Sequence, residues 1–461
     1  MNIFIHHKDL RYQDNTTLNL MSKELKDIIP IFIFPPEQID SKKNKYFSHN
    51  FVQFMCESLI ELKKDYLKKN GKLNFYKGDT LDVLKDIHKK YKIENIGFNV
   101  DYSPYAKKRD ISIINWAKKE NINIYNEEDI LLQNLLEGDT KSKNSGDPYK
   151  VFTPFMKYLR STYDVRNISK KKPSLINKSI ITKYSINDKD LKLFYQQNDN
   201  LNVKSGRHEA KKKLKLIKKQ QEYDEMRNCL TYKTTHLSAY TNLGLLSIRE
   251  IYHYCLEKLG KDNGIINELY WRDFYYNIIY FYPQIVGNSF KEKYDNIKWR
   301  NDKKEFQLWR EAKTGFPIVD ACMRQMNTTG YMHNRGRMIV ASFLTKDLLI
   351  DWRWGEKYFA TQLQDYSISA NNGGWQWTAG TGTDSQPYFR IFNPWSQSKS
   401  YDPNCEYIKK WIPELEDVNN KDIHEWDKKY KDYKNIKYPE PIVDHKKERL
   451  NTLKVYKKYI N

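Results

Sequence analysis

Residues 370–384 read ANNGGWQWTAGTGTD: paired amides and paired glycines run straight into two tryptophans separated by one glutamine. So much glycine first suggests a phosphate-binding loop. No G-x-x-x-x-G-K-[ST] pattern is present, however, and the closing GTG is only a bare G-x-G. A helix is the better reading. On a helix, residues two apart point about 200° away from each other. Trp375 and Trp377 then face opposite sides, one toward an interior and one toward an opening.

Helical periodicity dominates from about residue 207 to the C-terminus, and nine of the 11 tryptophans fall between Trp271 and Trp411. An AT-rich genome can account for many Tyr, Asn, Ile and Lys codons but not for Trp. Three clusters stand out in this half. In NELYWRDFYYN, Glu268, Trp271, Arg272 and Tyr275 fall at i, i+3, i+4 and i+7, so one helix face offers a carboxylate, an indole, a guanidinium and a phenol. In MHNRGRMIVASF, Asn334, Arg337 and Met338 share a face and Arg335 turns away from it. In EYDEMR, Tyr223 and Arg227 are at i, i+4. Each alone could be a buried polar brace; together they suggest the lining of a cavity for a flat polar aromatic ligand. Indole is also readily oxidised, so spaced tryptophans can pass an electron to a buried acceptor. The spacing of Trp299, Trp352 and Trp375 does not by itself align them.

The first 130 residues have a different rhythm. NIFIH, IIPIFIF, KLNFYKGD, ENIGFNVD and NINIYN read as strands, separated by stretches such as 47–70 with apolar residues at helical spacing. That alternation predicts a parallel sheet flanked by helices. No G-x-G-x-x-G follows the first strand, so the dinucleotide fingerprint is missing. Residues 165–205 are polar, with little periodicity, and read as a surface connection. The organisation expected is an α/β domain over 1–130, a connection over 131–206 and a helical domain over 207–461. The Lys-rich run from Lys211 reads as the solvated face of a helix.

A net charge of +21, from 79 basic and 58 acidic residues, favours a polyanionic partner, nucleic acid before membrane. Five scattered cysteines include no C-x-x-C pair, and HEXXH and G-x-S-x-G are absent, which argues against metal and hydrolytic chemistry. The start, MNIFIHHKDLR, turns polar within six residues, and no apolar run approaches the ~18 residues of a membrane span. The expectation is an intracellular protein, cytoplasmic or nuclear and not secreted, with no metal.

Several long motifs carry a resemblance. KDLRYQDN at Lys8, YKVFTPF at Tyr149, the run TGFPIVDACMRQMNTTGYMHNRGRMIVASFLTKDLLIDWRWGEKYF, SANNGGWQWTAGTGTDSQPYFRIFNPWSQSKSYDP and IVDHKKERL resemble the photolyase/cryptochrome family, and most closely its class I cyclobutane pyrimidine dimer photolyases. The resemblance implies a Rossmann-like α/β domain, an all-helical FAD-binding domain, and light-driven repair of pyrimidine dimers in UV-damaged DNA, single- or double-stranded, by a monomer. It places flavin contacts on Tyr223, Thr234, Thr235, Leu237, Ser238, Arg272, Asn334, Arg337, Asp365, Ser367 and Asn371. Trp375, Trp352 and Trp299 match the family's electron-transfer chain. Glu268, Trp271, Asn334, Met338 and Trp377 match its substrate residues, and Arg227, Arg335 and Arg390 its DNA contacts.

Departures from the family pattern are His7 in an Arg position, Ser367 in place of a second acid, and Ile265 in place of an aromatic beside the adenine. Tyr105-Ala106 stand where folate-binding members carry Asn-Glu, which argues against a folate antenna and leaves a deazaflavin, another chromophore or none. Two other readings are a (6-4) photolyase and a cryptochrome-type signalling flavoprotein. The (6-4) enzymes place two histidines where this chain has His333-Asn334, and generally Gln where it has Glu268.

Overall fold

A computed structural model describes residues 1–142 and 145–460. Lys143 and Asn144, within the expected connection, and Asn461, at the end of the expected helical domain, lie outside the described residues. All five expected strands form: β1 (Asn2–Ile5), β2 (Ile28–Phe34), β3 (Asn74–Lys77), β4 (Asn95–Asn99) and β5 (Asn123–Glu127). They pair in parallel in the order β5-β4-β1-β2-β3. All seven residues of β2 are buried, as continuous apolar strands must be when helices cover both faces of a sheet. The strand order reverses between β1 and β4, which opens a crevice beyond the carboxyl ends of the strands.

Residues 165–205 do more than connect. They return along the α/β domain, pair Leu175 with Ile28, and add an antiparallel edge strand β6 (Ser185–Ile186) beside β3. Ile180 and Leu191 are buried there. Scattered single apolar residues seal the sheet edge, and such singles carry no period for a sequence reading to detect.

Among the described residues no strand follows Ile186. The helix Gly264–Phe281, capped by Asn263, is buried on most of its circumference and serves as the axis of the helical half. Ile368–Ala379 packs against it, and Asn334–Ser342 and Trp352–Gln362 pack in turn on Ile368–Ala379. The Lys-rich run lies on the helix Arg207–Lys215, which buries Arg207, Ala210 and Leu214.

The two halves are joined by charge as well as by apolar packing. Arg249, on the helix Ile248–Leu259, donates to Asp14 (2.9 Å) and Asp129 (2.8 Å) of the α/β domain. Arg11 donates to Asp129 and, at 2.9 Å, to the Gly244 carbonyl of the helical half. All four charged side chains are within a few per cent of complete burial. Burial alone would raise the Asp129 pKa; Arg11 and Arg249 overcome that and hold it below the ordinary carboxylate value. Asp129→Ala should therefore cost about 3–5 kcal/mol near neutral pH, the cost of breaking a buried pair. Because the folded pKa is depressed, this contribution is present above the unfolded carboxylate value of ~3.9 and is lost as pH falls through the folded one. Denaturant unfolding of both chains should show the gap shrinking on acidification.

Candidate active site

The stretch 370–384 forms the end of the helix Ile368–Ala379, closed by Gly380 at φ 85°, a left-handed position that glycine adopts without strain. Trp375 is buried and Trp377 is partly exposed, so the two indoles do face opposite sides. The glutamine between them is a buried clamp. Its Nε2 donates to the carbonyls of Ile285 (3.3 Å) and Asn288 (3.1 Å) and to Asn372 Oδ1 (3.0 Å), and its Oε1 accepts from Phe290 N–H (2.8 Å). The two glycines divide their work. A Cβ on Gly373 would stand 2.1 Å from the Tyr275 ring, whereas one on Gly374 would meet nothing within 4 Å. Asn371, Gly374 and Trp377 are three apart and all accessible, so the helix lays bare backbone between an amide and an indole along the wall of an opening.

Glu268 and Trp271 sit on the facing helix, Gly264–Phe281. Glu268 pairs with Arg227 at 2.6 Å. The Glu268 side chain is 40% accessible. Burial raises its pKa, and the Arg227 guanidinium draws it part of the way back. Trp271 stacks on Phe152, ring centroids 3.7 Å apart and planes 9° apart, which fixes its orientation. Asn334 and Met338 meet on one face, Nδ2 to Sδ 3.9 Å, with Asn334 exposed. Arg335 turns elsewhere, donating to Asn228 Oδ1 (2.7 Å) over the Tyr401 ring (4.3 Å). Burial lowers its pKa, and the nearby charges of Arg227 and Arg390 lower it further, so the three guanidinia form one positive cluster with Arg390 exposed at the rim.

A second group lies around Asp365. This carboxylate accepts from Arg337 Nη2 (2.8 Å) and Ser238 Oγ (2.6 Å). Thr234 bonds Tyr331, whose pKa burial raises and Arg337 lowers. Tyr223, also raised by burial, feels Glu268, Arg227 and Tyr331, which ties this group to the first. Leu237 is buried, leaving only its backbone for a ligand, and the helix that follows, Ser238–Asn242, has five residues. A helix that short supplies little dipole for a phosphate, so hydroxyls must do more. Arg272 Nη1 is engaged with the Ile130 carbonyl (2.9 Å) and Asp273 (3.0 Å), bracing the helix against the α/β domain. Ser367 N-caps the Trp375 helix by position, its Oγ 3.1 Å from Ser369 Oγ. Ile265 is core.

Trp375 reaches toward Trp352 across Gly355: a Cβ there would stand 2.1 Å from the Trp375 ring, and Gly355 lies one turn from Trp352. Trp352 is fully buried; Trp299 is partly exposed and packs against the same core. The three tryptophans thus belong to one core cluster, Trp375 and Trp352 buried within it and Trp299 at its partly exposed edge.

Phe152, Tyr331 and Glu356 were not singled out by the sequence. Glu356 lies behind the amides: it accepts from Asn372 Nδ2 (2.9 Å), its carbonyl accepts from Asn371 Nδ2 (3.0 Å), and burial pushes its pKa to about 7. Its position in EKYF gave no signal. Phe152 lies in YKVFTPF, where only its partner across the fold reveals its role.

The α/β layer ending in a crevice, joined to a helical domain with an amide-and-indole wall, defines the fold class of flavin-dependent photolyases and cryptochromes. The chain belongs to the DNA photolyase family. Residues 2–174 match the DNA photolyase family model, and residues 265–458 match the FAD binding domain of DNA photolyase. The deoxyribodipyrimidine photo-lyase of Vibrio cholerae is 34% identical over 99% of this chain and 99% of that protein. Among solved structures, the archaeal photolyase of Sulfolobus tokodaii with two FAD molecules superposes with TM-score 0.86 at 35% identity, covering 99% of this chain and 100% of that one. The Synechocystis cryptochrome gives 0.89 at 27% identity, covering 99% of each chain.

The bare Gly374 backbone, the accessible Asn334 and Asn371 amides and the buried, unpartnered Nε2 of His333 fit a large planar cofactor with several acceptor atoms. FAD is the cofactor of this domain. Filling the wall should show it: Gly374→Val should fold but carry at least about tenfold less FAD, because a branched side chain takes the space of close contacts. Flavin absorbance per protein, with thermal unfolding as the folding control, checks this.

Proposed function

We propose that the chain repairs cyclobutane pyrimidine dimers in DNA under light. What supports it is that the helix carrying Glu268, with its Arg227 partner, and Trp271 packs against the helix carrying Asn371 and Trp377, and that Arg335 feels the charges of Arg227 and Arg390. The cryptochrome neighbour shares the fold, so the fold alone does not decide the activity.

A dimer inside a duplex is out of reach of a buried cofactor, so photolyases, like other enzymes that act on a base, take it out of the stack. Flipping the dinucleotide costs a few kcal/mol, less for a lesion that already stacks poorly. Trp271 and Trp377 return ~1–3 kcal/mol per stacked base, and the three arginines hold flanking phosphates. Bound FAD, once reduced, supplies a single electron on absorbing light. Tyr223, Thr234, Thr235, Leu237, Ser238, Arg272, Asn334, Arg337, Asp365, Ser367 and Asn371 would hold it. When Glu268 leaves Arg227 for a pyrimidine carbonyl it takes up a proton, which its burial favours. The resulting O–H donates to that carbonyl and stabilises the charge the lesion gains before its ring opens and the electron returns. Asn334 and Met338 line the same opening. Trp375, Trp352 and Trp299 restore electrons to the cofactor and take no part in ring opening.

The (6-4) reading needs a histidine that gives a proton. His333 Nδ1 accepts from Arg335 N–H (3.1 Å), and burial pushes its pKa down to about 4. It is neutral at physiological pH, which supports the dimer reading.

For a second chromophore we propose the crevice at the strand ends. A cavity of about 650 Å³ opens at the carboxyl ends of β1, β2 and β4, lined by His7, Phe32, Ser103, Tyr105 and, from the helical half, Tyr366 and Ile368. His7 Nδ1 lies 3.0 Å from Arg109 Nη2 and its Nε2 is buried without a partner. Burial and Arg109 lower its pKa to about 3, so His7 is neutral and Nε2–H is free to donate. A flat chromophore with a carbonyl suits this cavity, and the archaeal neighbour is a photolyase with two FAD molecules. We further propose action as a monomer on single- or double-stranded DNA within the cell, in cytoplasm or nucleus. Among the described residues no helix is long and apolar enough to cross a membrane.

Purified enzyme should reverse dimers in UV-treated oligothymidine only under near-UV or blue light; equal repair in the dark would sink the photochemical reading. Trp377→Ala should weaken damaged-DNA binding by ~1–3 kcal/mol while photoreduction persists. Trp375→Phe should block photoreduction yet repair normally once FAD is chemically reduced. Binding measured against salt should fall steeply.

A further inference from the structure

Trp375 touches a second indole that the family's electron chain does not include. Trp309 lies with its ring centroid 6.2 Å from that of Trp375, planes at 72°. Trp309 is fully buried, and its next neighbour outward is Tyr358, 5.7 Å away at 63°. Both pairs are edge-to-face contacts within ordinary aromatic range. Tyr358 is partly exposed, and its hydroxyl donates to Asn327 Oδ1 at 2.8 Å on the accessible surface. A continuous aromatic path thus leads from the inner tryptophan to solvent by way of Tyr358, two turns along the helix Trp352–Gln362 from Trp352 itself.

We propose that Trp309 and Tyr358 form a second electron-supply branch to Trp375, ending on a tyrosine. This rests on the reading of Trp375 as the inner donor to photoexcited FAD. Having lost one electron to that oxidant, Trp375 takes one from Trp309, and Trp309 takes one from Tyr358. Tyr358 releases its phenolic proton to solvent in the same step and remains as a neutral radical. An external one-electron reductant of the thiol or ascorbate class then resets it.

Two local features direct the hole outward. The buried Trp309 N–H donates to the Val340 carbonyl (3.2 Å), too weak a base to take the proton, and has no water to take it instead, whereas Tyr358 is partly exposed and can release its proton to solvent. The Arg310 guanidinium sits 4.8 Å from the Tyr358 ring centroid and opposes a positive charge there, which favours loss of the proton together with the electron.

The test uses the FAD-loaded full chain under pulsed blue light, read by transient absorption, with flavin content and thermal unfolding as folding controls. Trp352→Phe should retain long-lived photoreduction within about tenfold of the parent, and the tyrosyl band should appear. Adding Trp309→Phe should remove at least a further about tenfold, more than the product of the two single effects, as expected when two routes serve one step. Tyr358→Phe in the Trp352→Phe background should abolish the tyrosyl band and shorten the charge-separated state; lying near the surface, it carries the test if Trp309→Phe does not fold. Complete loss of photoreduction in folded, flavin-bearing Trp352→Phe overturns the branch, as does a tyrosyl band that survives Tyr358→Phe. Undiminished photoreduction in Trp375→Phe instead overturns the reading of Trp375 on which the branch rests.

Discussion

Two arginines and two aspartates out of reach of water hold the halves of this protein together. Ions taken from water are costly to bury, and their attraction offsets that cost only when geometry is good and the remaining donors are satisfied. Arg249 meets those terms on Asp14 and Asp129, while Arg11 bonds Asp129 and the Asp14 and Gly244 carbonyls and leaves one donor, its Nε–H, without a partner. Apolar faces can slide across each other at small cost; a four-charge lock cannot. The setting of the α/β layer against the helical half is therefore discrete.

Both candidate ligand spaces depend on that setting. The crevice cavity takes its floor from strand ends and its roof from Leu243, Pro283, Val286, Tyr366 and Ile368. The helix Gly264–Phe281 is held from the same side, since Arg272 and Asp273 reach Ile130 and Leu132. Glu268 and Trp271 are thus positioned through a helix that the segment following the sheet braces from behind. Phe152 adds the last constraint by lying flat on Trp271.

Much of this was readable from the chain. The five parallel strands were, because β-branched and aromatic runs flanked by turn residues have few other uses. The opposed faces of Trp375 and Trp377 follow from helical period alone. Other features were hidden by distance: the Phe152–Trp271 stack and the Arg249–Asp129 pair join residues far apart, and no local pattern marks either. The glycine pair was half readable, since sequence cannot tell that Gly373 admits the Tyr275 ring while Gly374 faces open space. The five-residue length of Ser238–Asn242 was not readable either, because its end is set by how the chain packs beyond it.

Gln376 has a consequence for timing. A side chain that ties two loop carbonyls, one loop N–H and its own helix leaves that segment no freedom to roll or shift. The positions of the Trp375 and Trp377 rings relative to each other and to the loop 285–290 are then fixed by the helix and its clamp rather than left to thermal fluctuation. Tunnelling falls off exponentially with distance, so a rigid spacer yields narrow, single-valued rates in place of a spread. Such an enzyme should run its electron steps nearly as well in viscous or frozen solvent as in water.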